Sequence, residues 1–168
     1  MENVTKLPSL GFKEAVKTAW GKLTDFNGRA RRSELWWCFL LYVIVNLVLS
    51  RIVKNPIASD VLSTILLLLI SAVTVRRLHD TGKCGWWVAA SIILSVYSSF
   101  YLIGSGFNET LNTVNPSLEE IMKIFKDPLL LVPTLLQGIV DIVILIFSLL
   151  DSKVEENKYG PSPKYLLK

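Results

Sequence analysis

Two short stretches of the chain concentrate the groups able to bind phosphate, move protons or anchor in a headgroup layer. In the first, Arg29, Arg31 and Arg32 precede Glu34 and the Trp36-Trp37 pair; in the second, Arg76 and Arg77 precede His79, Asp80 and the Trp86-Trp87 pair. A guanidinium presents a planar fork that takes two phosphate oxygens at once, and indole rings favour the membrane–water interface. The five arginines therefore read as a phosphate-binding collar for anionic lipid headgroups, with the four tryptophans marking interface depth. Topology signals and an aromatic belt account for the same residues without any ligand, and both readings stand on sequence alone. Glu34 and Asp80 are different, because acids serve no purpose in orienting a basic segment. Glu34 is expected to pair with Arg76 or Arg77, and Asp80 with Arg29, Arg31 or Arg32, tying the two segments together.

His79 beside Asp80 invites a reading as a carboxylate-oriented general base, but neighbours in sequence rarely reach that geometry. No nucleophile elbow accompanies them, and one histidine without an acidic cluster does not make a zinc or di-metal site. Cys38 and Cys84 lack CxxC spacing and stand in different settings, so neither a disulfide framework nor a zinc site is supported. No catalytic residue, metal or cofactor is expected, and His79 reads as a hydrogen-bonded loop residue.

A separate signal is Asp141, which falls inside the last long apolar run, one helical turn after Gln137. Asn46 in the first run and Ser95 in the third come to a similar depth, so the four residues should form a polar layer within the membrane. That layer serves either interhelical hydrogen bonding around a protonated acid or a relay for protons or cations.

The elements that must position these groups follow from hydropathy. The chain has 168 residues, 51% of them hydrophobic and only 19% charged, with a mean hydropathy of +0.45. A soluble domain of this size needs more surface charge, so the membrane class is favoured. Four apolar runs, from about Leu35 to Ser50, Val61 to Val75, Trp86 to Gly104 and Pro128 to Leu150, approach the length that crosses about 30 Å of hydrocarbon. The second is short. The net charge of +4 lies in cations beside these runs rather than on one soluble face, which points to anionic headgroups and away from nucleic acid.

Lys and Arg are distributed unevenly among the connections. Residues 1–34 carry seven, the segment holding Arg76 and Arg77 three, and the tail four; the other two connections carry two each. The bias places both termini and the second connection in the cytoplasm. Ahead of the first span, Phe12, Val16, Ala19, Trp20 and Leu23 recur at helical spacing, predicting an amphipathic helix that lies in the interface or packs on the cytoplasmic end of the bundle. A second short amphipathic helix is expected near 118–125, and the tail, broken by Gly160, Pro161 and Pro163, should be extended or turned. The chain thus divides into a cytoplasmic segment 1–34, a four-helix domain 35–150 and a tail 151–168.

Three motifs, in order, carry a family resemblance. They are Phe26-Asn27-Gly28-Arg29-Ala30-Arg31-Arg32-Ser33-Glu34, then Arg76-Arg77-Leu78-His79-Asp80-Thr81-Gly82 with Gly85-Trp86-Trp87, and last Asn157-Lys158-Tyr159-Gly160-Pro161-Ser162-Pro163. Together they resemble the bacterial inner-membrane family known as domain of unknown function 805. The resemblance implies a small multispanning protein of the bacterial cytoplasmic membrane and brings no catalytic residues; serine is frequent in the family where Cys84 stands, which argues against an essential thiol. The expected fold is all-α and polytopic, with four transmembrane helices and an N-terminal interfacial helix. The expected function is non-enzymatic binding of anionic lipid or of a membrane partner, a second copy included. A small transporter using Asp141, or a membrane enzyme acting on a lipid or phosphate through His79 and Asp80, are the alternatives.

Overall fold

In the computed structural model the described residues are 4–106 and 117–167. In chain order they form β1 (Val4–Lys6), α1 (Phe12–Trp20), α2 (Arg32–Ile52), α3 (Pro56–Asp80), α4 (Trp86–Gly104), α5 (Leu118–Phe125), α6 (Pro128–Leu149) and β2 (Tyr165–Leu167). Helices α2, α3, α4 and α6 are each long and apolar enough to cross a membrane. Their starts are written in the sequence. Asn55 caps α3 by accepting from the Ala58 amide at 3.1 Å with Pro56 following, and Asp127 caps α6 through the Leu129 amide at 2.9 Å with Pro128 following.

The distribution of side chains is that of a protein whose solvent is lipid. Leu47, Ile93, Phe100 and Leu135 face outward along with most of the apolar side chains of the four helices. Most of the buried residues instead gather at one end, where Ala30, Leu35, Val73, Val75, Leu78 and Val88 surround Arg29, Glu34, Arg76, Arg77, His79 and Asp80. Helix α3 is the hub, touching α2 on one side and the closely packed α4–α6 pair on the other.

Both chain ends meet at this capped end. β1 and β2 pair antiparallel with Val4 opposite Leu167 and Lys6 opposite Tyr165, and the ladder continues through the Leu7 amide to the Lys164 carbonyl at 2.8 Å. This ribbon is an addition to the otherwise helical fold: the tail was expected extended or turned, and the N-terminal strand gives it a partner. Helix α1 packs on α2 with Ala15 and Ala19 buried, while Phe12 and Trp20 remain exposed.

The second span differs most from its expectation. Rather than Val61 to Val75, the helix covers Pro56–Asp80, so Arg76, Arg77, His79 and Asp80 form its last turns instead of a loop. Charge was read as a stop signal, but a helix tolerates charge that is paired. The actual stop is Thr81-Gly82: Gly82 has φ +77°, its amide reaches the His79 carbonyl at 2.9 Å, and the Lys83 amide reaches Leu78 at 2.9 Å. Those two bonds are a Schellman ending, whose left-handed residue favours glycine. The first span likewise begins at Arg32, three residues before the expected Leu35.

Helix α4 then turns back against α3 through Gly85, where an added Cβ would stand 2.6 Å from Val75 Cγ1 and 3.3 Å from His79 Nε2. Gly85→Ala is therefore expected to lower stability in detergent by about 1–3 kcal/mol through overpacking. Gly138→Ala, with nothing within 4 Å, should leave the thermal midpoint unchanged or raised. Equal midpoints for the two variants would contradict this packing.

Candidate functional site

The capped end is built around Asp80, which is fully buried. One carboxylate oxygen accepts from Arg29 Nε at 2.9 Å; the other accepts from Arg77 Nη1 and from the Ser152 hydroxyl. Each guanidinium then spends its remaining protons on backbone carbonyls. Arg77 donates through Nε to Ser148 at 3.1 Å and through Nη2 to Leu150, carbonyls at the end of α6 that have no helical partner. Arg29 donates through Nη1 to Glu155 at 2.9 Å and Gly160 at 3.1 Å, and through Nη2 to Lys153 at 2.6 Å. The tail is thus held by its carbonyls.

A second buried pair joins α3 to the first turn of α2, and the same arginine reaches the segment before it. Arg76 Nη2 donates to Glu34 Oε1 at 2.9 Å, and its Nη1 donates to the carbonyls of Lys22 and Asp25, each at 2.6 Å. The Ala30 amide returns to the Arg76 carbonyl at 3.0 Å. Arg31 spans the two chain ends, donating to the carbonyls of Pro8 and Pro163.

His79 is occupied in the same way. Its Nδ1–H donates to the Gly28 carbonyl at 3.3 Å, its ring lies flat on Tyr159 at 3.6 Å between centroids, and its carbonyl accepts from Asn157 Nδ2 at 2.9 Å. All three sequence motifs therefore meet in one network. Asp80 pairs with Arg29 and Arg77, and Glu34 pairs with Arg76. What does not hold is a collar of five free guanidinium groups: Arg29, Arg76 and Arg77 are buried, because each has carbonyl or carboxylate acceptors within the fold to replace the phosphate a lipid would bring. Of the five, Arg32 remains the exposed one, paired with Asp151 at 3.0 Å.

The tryptophans ring this same end. Trp37 packs edge-on against Phe12 at 5.7 Å and donates to the Leu10 carbonyl at 3.3 Å; Trp87 packs edge-on against Phe147 at 6.3 Å; Trp86 is 78% exposed. Trp36 instead lines a cavity of about 470 Å³ lying among the four long helices.

That cavity gathers most of the expected polar layer. Ser95, Gln137 and Asp141 line it, and Asp141 Oδ1 accepts from the Ser91 hydroxyl at 2.6 Å. Asn46 does not join: its amide donates back to the Tyr42 carbonyl of its own helix at 2.9 Å. Tyr42, one turn earlier on the same face of α2, does line the cavity, and Asn46 stands one turn beyond the last α2 residue that does so. Ser91, Ser148, Ser152, Asn157 and Tyr159 were given no role from the sequence. Ser91 sits one turn from Ser95 on the same face, and Asn157 and Tyr159 lay in the tail motif, so those three carried a readable signal.

A family model described as a protein of unknown function (DUF805) matches residues 23–161. Among curated proteins, the inner membrane protein YhaH of Escherichia coli strain K12 is 36% identical over 77 residues, covering 40% of this chain and 64% of the relative. The inner membrane protein YhaI of the same strain is 36% identical over 67 residues, covering 37% of this chain and 57% of the relative. The matched part of the chain spans less than two thirds of either relative. No solved structure matches.

Removing Asp80 leaves two buried cations unpaired, so Asp80→Asn is expected to cost about 3–5 kcal/mol and to free the tail for proteolysis after residue 153. Asp151→Asn, at an exposed pair, should cost at most about 1 kcal/mol. Thermal unfolding with timed proteolysis distinguishes the two; equal effects would contradict the network. The Lys164 ammonium bonded to Asp151 holds its carboxyl down at about 2. A depressed folded pKa gives stability that is present above the unfolded value of about 3.9 and is lost as pH falls through the folded one. Tail docking should therefore not change through Asp151 between about pH 5 and 8, and a midpoint that depends on Asp151 in that window would contradict the pairing.

Proposed function

This chain belongs to the DUF805 family of proteins of unknown function, and from that membership we propose that it is a non-enzymatic, multispanning protein of the bacterial inner membrane that binds anionic lipid at its capped end. The observation that carries the reading is a division of labour among cations. The buried arginines are consumed by the fold, whereas Lys13, Lys17, Lys22 and Lys83 are exposed at the same end, beside exposed Trp20 and Trp86. Lysine is a compact point charge that attracts an anionic surface without needing a fixed acceptor, each contributing about 1 kcal/mol near such a surface.

The capped end is read as cytoplasmic because it holds the Lys- and Arg-rich connections. Helix α1 then lies in the inner interface, with Lys13 and Lys17 toward headgroups. The inner-membrane names of YhaH and YhaI support the location. Against an enzyme, His79 is 8% exposed, donates from Nδ1 to a carbonyl and has Tyr159 covering its ring, while both oxygens of Asp80 are engaged by buried arginines. A second copy or another membrane protein is the natural protein partner, through the exposed apolar faces of the span helices.

Native mass spectrometry from mild detergent, comparing wild type with Lys13→Gln/Lys17→Gln/Lys22→Gln, tests the reading and also gives subunit number. Wild type is expected to retain anionic lipid and the triple variant to bind it about 100-fold more weakly, three charges at about 1 kcal/mol each. Equal retention in both, or none in wild type, would overturn it.

A further inference from the structure

The cavity among the four long helices has a composition that the cap and the lipid-facing lysines do not explain. It reaches about 470 Å³, within the range of small-molecule sites, and its wall is mostly apolar with Trp36, Ile92 and Leu145 on different helices. Asp141 stands in it eight residues before the end of α6, about 12 Å along the helix from that end. A carboxylate at such depth is costly unless something pairs with it. Among the described residues its one protein donor is the Ser91 hydroxyl.

Much of the remaining polar wall offers acceptors, beside the Gln137 amide and the Ser95 hydroxyl, which can donate as well as accept. Ser71 donates its hydroxyl proton to the Leu68 carbonyl at 2.6 Å, Thr74 to the Ile70 carbonyl at 3.0 Å, and Ser91 to Asp141 itself, so each leaves only lone pairs for anything in the cavity. Ser148, 3% exposed and also on the cavity wall, has a hydroxyl oxygen with no hydrogen-bond partner among the described residues. An orphaned buried hydroxyl is unusual in a folded protein and marks a place where a further polar atom belongs. A carboxylate, several acceptor oxygens and an unpartnered hydroxyl, set in an apolar wall, complement a donor-rich cation on an apolar body.

We propose that the cavity is a binding site for an organic ammonium group carried on a hydrocarbon body, with Asp141 as counter-ion and Ser91 positioning the carboxylate; Ser148, about two helical turns nearer the capped end, is left for a polar atom elsewhere on the ligand. The ammonium supplies Asp141 with a counter-charge, and the apolar body replaces lipid against Trp36, Ile92 and Leu145. Two sources share this chemistry, the amine of an aminophospholipid and a free lipophilic amine.

The test uses the full chain in detergent, titrated with dodecylamine and, as the uncharged match, dodecanol. Wild type is expected to bind dodecylamine at least about tenfold more tightly than dodecanol, and Asp141→Asn to lose that preference, because a charge-assisted hydrogen bond is removed. Thermal midpoint and tail protection check that the variant is folded. Should Asp141→Asn fail to fold, Ser95→Phe, which fills the cavity and leaves the carboxylate, must abolish dodecylamine binding. Native mass spectrometry after exchange into phosphatidylethanolamine or phosphatidylglycerol separates the sources: ethanolamine lipid retained by wild type and lost in Asp141→Asn assigns an aminolipid, and dodecylamine binding without such retention assigns a free amine. Dodecanol binding as tightly as dodecylamine, or dodecylamine binding equally to wild type and the folded Asp141→Asn, overturns the proposal.

Discussion

The structure depends on keeping three guanidinium groups out of water. Arg29, Arg76 and Arg77 are buried with two carboxylates, Asp80 and Glu34, and a buried charge is tolerated only when its counter-charge and every remaining proton are accounted for. Two carboxylates do not suffice for three forks. The balance is supplied by carbonyls, and the places where free carbonyls occur dictate the architecture: the end of α6, the turn before α2, and a tail whose backbone is not committed to a helix. Arginine suits this work because it projects several fixed donors from one centre, so a single residue can hold elements far apart in sequence.

Once the cap is in place, the membrane part needs little specificity of its own. Lipid is as apolar as leucine, so no hydrophobic force drives the four helices together along their length, and small and polar contacts must decide their spacing. Helix α3 is fixed at its last turns by Arg76 and Arg77, and α4 follows through the tight approach at Gly85. Helices α4 and α6 pack closely, Ser91 bonding to Asp141 between them, while toward α2 the bundle leaves the cavity open. A rigid cap over loosely packed spans permits such a cavity, because its walls need not collapse to hold the fold.

The spans, the short helix near 118–125 and the pairing of acids with arginines were legible because each follows a local rule: apolar length, helical period, or a charge that topology alone does not require. The burial of Arg29, Arg76 and Arg77 was not. Charge beside an apolar run reads equally well as solvated topology signal or as internal crosslink, and what decides between them is the set of acceptors: the tail for Arg29, the end of α6 for Arg77 and the turn before α2 for Arg76. Those acceptors are largely backbone carbonyls, to which the sequence is silent; the one hint was that Asn157 to Pro163 formed a motif with no chemistry of its own. The extension of α3 through Asp80 was missed for a related reason, since a charged run looks like a loop until its partners are known. In the membrane, Asn46 lies one turn beyond the last α2 residue that lines the cavity and bonds to its own helix, while Ser91, one turn from the expected Ser95, takes the place beside Asp141.

The most direct measurement is hydrogen exchange of the tail amides in Arg29→Lys, a variant that keeps the charge facing Asp80 and loses the fork. If carbonyl capture by Arg29 holds the tail, the amides of Lys153, Asn157 and Gly160, bonded in the native fold, will exchange faster while α4 and α6 stay protected. Unchanged exchange at those three amides would contradict the view that arginine donors to the backbone assemble the capped end.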